Sequence, residues 1–135
     1  MSHSLHSPLR WVCALTLLVT AATHIPLVPE HLEEAPYVGV LFILLSAVSI
    51  LLAAAILVRD LPLIWVTSGT VTLLAFVAFL VSRTVGLPEI GDDIGNWTEP
   101  LGFPALVAEL ATSALAVLAV RRAGVAAAPA TPSPR

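Results

Sequence analysis

Lysine is absent from this chain, cysteine occurs once, and charged residues fill only 11% of its 135 positions. An ordinary soluble domain carries about a quarter charged residues, so water is not the main solvent here. The lone thiol, Cys13, has no partner for an intrachain disulfide, which excludes the membrane oxidoreductases that work through cysteine pairs. Cys13 also follows Arg10-Trp11-Val12 rather than a small-residue lipobox, so lipoprotein anchoring is not expected. There is no serine nucleophile elbow, no glycine-rich phosphate loop and no helix-borne pair of metalloprotease histidines. The expectation is a protein that is not an enzyme, with no catalytic residues, no cofactor and no nucleic acid among its partners.

What is present is apolar: such residues make up 58% of the chain, and Tyr37 to Val58 runs without a single charge. A bilayer's hydrocarbon core of about 30 Å needs roughly 20 helical residues, and this stretch supplies them. Three further apolar segments complete an all-α integral membrane bundle of four transmembrane helices, residues 1–122, with spans at about 9–25, 36–58, 61–82 and 104–120. The first span should stop where Pro26 cannot continue a helix. It also reads as a signal peptide, because one Arg precedes a short apolar core and Thr20-Ala21-Ala22 resembles a small-residue cleavage site. Only Arg59 and Asp60 separate the second and third spans, so these should return side by side as an antiparallel hairpin, with Asp60 as N-cap and Pro62 in the first turn. Small and hydroxylated residues form rows at helical spacing, namely Ala75/Ala78/Ser82, Ala108/Thr112/Ala116 and Ser68/Thr72, and are expected to pack helix against helix.

Charge sets the expected orientation. Arg10, Arg59, Arg121, Arg122 and Arg135 fall on one side of the bundle and Arg83 alone on the other, which makes both termini cytoplasmic in a multi-pass protein of the cell membrane. Glu30, Glu33, Glu34, Glu89, Asp92, Asp93 and Glu99 gather in the two outward loops. Trp11 and Trp97 are placed to anchor the two headgroup levels. Residues 123–135, with Pro129, Pro132 and Pro134 among small residues, are expected to form a disordered cytoplasmic tail.

Glu109 demands the most explanation, because it lies inside the fourth span, and an intramembrane carboxylate is a functional candidate by default. By depth its partners are Arg83, in a structural ion pair, or His24; its functional alternative is a proton or cation site. His24 and His31 flank Ile25-Pro26-Leu27-Val28-Pro29-Glu30, a loop that the prolines restrict. Imidazole with carboxylate suits zinc, iron or copper, so a metal, if any, would be held by His24, His31 and Glu109. A haem is disfavoured, since only His24 lies close to a span, and Gly91-Asp92-Asp93-Ile94-Gly95-Asn96 reads as a solvated turn rather than a calcium loop. The polar site candidates are therefore His24, His31, Glu34, Arg83, Glu99 and Glu109, all at the outer ends of the helices.

Three stretches, His24 to Phe42, Ser82-Arg83-Thr84-Val85-Gly86-Leu87-Pro88, and Glu99-Pro100 followed by Glu109, resemble an uncharacterised family of small four-span integral membrane proteins from high-GC bacteria. The resemblance covers roughly His24 to Val120 and implies the four-span bundle without an activity. Small multidrug-resistance exporters share the size but carry their membrane carboxylate in the first span, whereas here it lies in the fourth. The expected function is a non-enzymatic binding or accessory subunit that uses its outer polar face. Its partners are the lipid bilayer together with another membrane protein or a second copy of itself. The alternative is an ion- or metal-handling protein built on His24, His31 and Glu109.

Overall fold

A computed structural model describes residues 7–127 as an all-α bundle. Its helices are α1 (Leu9–His24), α2 (Val28–Glu34), α3 (Pro36–Arg59), α4 (Pro62–Thr84) and α5 (Gly102–Ala126). A 3₁₀ turn, Ile25–Leu27, joins α1 to α2, so that Leu9–Glu34 forms one span, and α3, α4 and α5 form the others. Each of the four is long and apolar enough to cross a membrane.

The α-helix α1 ends at His24, just before the expected stop at Pro26, and the chain continues helically through the 3₁₀ turn into α2. Pro26 lies in the opening turn of the 3₁₀ segment and Pro29 in that of α2, positions where a missing N–H breaks no helical bond. His31 and Glu34 consequently sit on a helix rather than in a loop. The chain reverses through one residue, Ala35, and α2 folds back on α3. Leu32 lies so close on Gly39 that a Cβ there would meet it at 2.7 Å.

Across the bundle the order is α3, α1, α5, α4, with little contact between α3 and α4. The expected hairpin is thus corrected: the two helices meet only at their Asp60 turn and then diverge. The reason is that α4 has a better neighbour in α5. Gly69 approaches α5 so closely that a Cβ would lie 2.7 Å from that of Ala116, and the Thr72 and Ser113 hydroxyls are 3.0 Å apart. Thr112 in turn donates to the Thr16 hydroxyl at 2.7 Å and holds α5 to α1. The rows Ala108/Thr112/Ala116 and Ser68/Thr72 are buried as packing surfaces should be. Gly69→Leu is expected to force α4 from α5 and cost about 1–3 kcal/mol, the usual penalty for overpacking. Unfolding in mixed micelles would register it, with Gly124→Leu, where a Cβ meets nothing within 4 Å among the described residues, as a neutral control.

Asp60 does not cap α4, which has no side-chain cap bond; it ends α3 in the left-handed region with φ 41°. The α5 helix starts at Gly102 and continues to Ala126, past the expected end at Val120, so the first residues of the expected tail are helical, and 128–135 lie outside the described residues. The bundle end that holds the α3–α4 turn, where Ser7 meets Asp60, has an apolar core of Cys13, Leu17, Ile56 and Trp65. At the opposite, loop end the interior holds buried His24, Arg83 and Glu109 beside a small apolar cluster of Ala35, Val38 and Ile90.

Candidate functional site: a polar-floored cleft at the loop end

Because α3 and α4 diverge, a cleft of about 450 Å³ remains between them in the loop-end half of the bundle. Leu45 and Val48 of α3 face Val71, Ala75 and Ala78 of α4 across it, and the exposed Leu41, Leu44 and Leu74 also line it. The row Ala75/Ala78/Ser82, expected to pack a helix, instead lines this space. Its small side chains leave room where larger ones would fill it.

The α4–α5 connection closes the loop end of the cleft. Ile90 packs on Ala35 and Val38, and the Tyr37 hydroxyl donates to the Pro88 carbonyl at 2.7 Å, which ties this connection to α3. The connection then turns back, and the Gly95 N–H donates to the Arg83 carbonyl at 2.9 Å. Gly95 can do this because its φ of 79° is open to glycine.

This fold-back sets the floor. Arg83, only 5% exposed, is in ion-pair contact with Asp93 at 2.5 Å and hydrogen-bonds to Glu99, and its guanidinium carbon lies 4.7 Å from the Phe79 ring centre. Arg83 and Glu99 are therefore brought together as site candidates, but the expected Arg83–Glu109 pair does not form. The loop carboxylates reach the guanidinium first. No sequence signal marks Asp93, because nothing in Gly91-Asp92-Asp93-Ile94-Gly95 separates it from Asp92 until the chain folds back on Arg83. The Arg83 Nε is buried with no hydrogen-bond partner among the described residues.

Glu109 pairs with the other expected partner. It lies seven residues into α5, roughly 10 Å along the helix at 1.5 Å per residue. It is 1% exposed, with Oε1 3.6 Å from the His24 Nε2 and Oε2 without a hydrogen-bond partner among the described residues. The His24 Nδ1 contacts the Thr20 carbonyl at 2.8 Å; a carbonyl only accepts, so this nitrogen carries hydrogen and Nε2 is left facing Glu109. A neutral ring against a protonated carboxyl and an imidazolium against a carboxylate both satisfy this geometry, each with one proton between the pair.

His31 repeats the pattern, its Nδ1 donating to the Leu27 carbonyl at 2.9 Å. The two imidazoles flank Phe42, with ring centres 4.8 and 4.7 Å from its own. Phe42 thus belongs to the site, and no charge or motif marks it in the sequence. Glu34 is exposed on α2 and does not line the cleft. Among the described residues, no group of three His, Cys, Asp or Glu side chains is placed to hold a metal ion. Trp97 is exposed at this end, its ring 6.4 Å from that of Phe79, and Trp11 is exposed near the start of α1.

No family model, no curated protein and no solved structure matches this chain. What stands of the family resemblance is a small protein with four long apolar helices; no family is identified.

Proposed function

We propose that this is a non-enzymatic, multi-pass protein of the cell membrane that binds a small ligand drawn from the surrounding bilayer. The observation that carries this reading is the cleft itself: apolar walls on α3 and α4, ending at a floor of buried charge. Ligand sites of about 300–1,000 Å³ are mostly apolar with a few placed polar groups, and a cleft of about 450 Å³ with this lining falls in that class. Orientation follows from charge. Arg10, Arg59, Arg121 and Arg122 lie toward the end opposite Arg83, which supports cytoplasmic termini and a cleft in the outer half.

Photolabelling in lipid nanodiscs tests the reading. A long-chain alkyl diazirine is expected to label Val48, Val71 and Ala75 above the general lipid-facing background. Ala78→Trp, which fills the cleft without entering a helix interface, is expected to abolish that excess. Labelling spread evenly over the lipid-facing leucines and unchanged by Ala78→Trp would remove the basis for a ligand site.

A further inference from the structure

We infer that the ligand of this cleft is a cationic amphiphile, a protonated amine carried on an alkyl chain or ring system. This rests on the cleft being a ligand site and adds the charge of the head.

At the floor the carboxylates are open where the guanidinium is sealed. Arg83 lines the cleft from behind its partners: its side chain is 4% exposed, and Nε and Nη1 are both buried. Asp93 and Glu99 line the same floor with side chains about a fifth exposed. Each engages Arg83 through one oxygen, Oδ2 and Oε2. The second oxygen of each makes no hydrogen bond among the described residues and is not buried. Those two oxygens only accept, so the head that satisfies them is one that donates. An ammonium N–H donates to a carboxylate more strongly than any neutral group does.

The balance of charge points the same way. One guanidinium against two carboxylates leaves negative charge in excess, and Arg83 is the sole Arg or Lys lining the cleft. The His24 and Glu109 pair shares one proton and adds no net charge, and a protonated His31 cancels the excess without reversing it. The exposed Glu30, Glu33, Glu34, Glu89 and Asp92 lie at this end of the bundle, while Arg10, Arg59, Arg121 and Arg122 lie toward the other. A cation is drawn to such an end and an anion repelled. An anionic head would sit against two carboxylates, with the one guanidinium out of reach behind them. A hydroxyl would reach the same oxygens but forgo the Coulombic gain, which is larger beside apolar walls than in water. Tyr37 and Phe42 also line this end, and aromatic faces favour cations in turn. A bare metal ion would leave the apolar walls unused, and among the described residues no group of three His, Cys, Asp or Glu is placed to hold one. The tail of the amine lies between Leu45 and Val48 of α3 and Val71 and Ala75 of α4.

Competition against the alkyl diazirine, in nanodiscs of zwitterionic lipid, reads the head on the unaltered protein. The competitors share one chain length and are compared at equal mole fraction in the lipid: the primary ammonium, the alcohol and the sulfate. The ammonium is expected to displace the cleft label at about one-tenth the mole fraction that the alcohol needs, the scale of one partly exposed charge contact, with the sulfate weakest. In Asp93→Asn, where Glu99 alone balances Arg83, the ammonium should fall to the level of the alcohol. If that variant loses the label altogether, the wild-type ranking decides alone. Equal displacement by all three, strongest displacement by the alcohol or the sulfate, or an ammonium preference unchanged in Asp93→Asn overturns the inference. The cleft then stands as a ligand site if Ala78→Trp still abolishes labelling, whereas a label unaffected by Ala78→Trp overturns both.

Discussion

Arg83→Met is expected to destabilise the protein by about 3–5 kcal/mol, the usual loss when one partner of a buried ion pair is removed and the others are stranded. Two carboxylates depend on this one guanidinium, and Asp93 and Glu99 are themselves only about a fifth exposed. Without it they repel each other, and the segment from Val85 to Leu101 should lift from α3. Trp97 reports this locally through its contact with Phe79, so its fluorescence should shift before the helices unfold. Limited proteolysis should cut the connection faster. Arg83→Lys keeps the charge but not the planar fork that reaches two carboxylates, and should fall between wild type and methionine. Adding Asp93→Asn and Glu99→Gln to Arg83→Met should recover most of the loss, because the stranded charges go with it. Arg121→Met, at an exposed position, should stay within about 0.5 kcal/mol of wild type. A loss below about 1 kcal/mol for Arg83→Met would mean that water already satisfies the two carboxylates.

The same residues show how far the sequence could be read. The spans are legible because a bilayer demands long uncharged runs, and Tyr37 to Val58 leaves no other use for itself. Pro26 marks the end of α1 at His24 but not the end of the helical course, because a 3₁₀ turn beginning at Ile25 carries the chain into α2. Partner choice was harder. Depth puts both Arg83 and His24 near Glu109, and the outcome depends on Gly95 bending the α4–α5 connection back onto Arg83, a tertiary event. Ala75, Ala78 and Ser82 have the same kind of spacing as the rows that pack α5 against its neighbours. Which row faces a helix and which a cleft is decided by Gly69, whose close approach to Ala116 draws α4 to α5 and away from α3. Phe42, between the two imidazoles, carries no signal beyond being one more apolar residue in an apolar span.

At the opposite end, Asp60→Ala is expected to cost about 3 kcal/mol or more, from two hydrogen bonds to a buried carboxylate at about 1.5–3 kcal/mol each, less some relaxation. Asp60 is 0% exposed, and its two oxygens accept from the Trp65 Nε1–H and the Ser7 N–H, both at 2.6 Å. One side chain thus joins the α3–α4 turn, the first turn of α4 and the start of α1. Removing it leaves the indole N–H of a fully buried tryptophan with no acceptor, inside the cluster formed with Leu17 and Ile56. Two further substitutions separate the causes. Asp60→Asn keeps one acceptor oxygen and should retain roughly half of the stabilisation, whereas Asp60→Gly relieves the left-handed backbone, worth about 1 kcal/mol, but forfeits both bonds. Unfolding in mixed micelles, followed by tryptophan fluorescence, should order them as wild type, Asn, Gly, Ala. If Gly equals or exceeds wild type, backbone strain outweighs the hydrogen bonds and the carboxylate does not hold this end together. If the order holds, one aspartate fastens α1, α3 and α4 where they are joined, which lets α3 and α4 spread at the other end without the bundle opening.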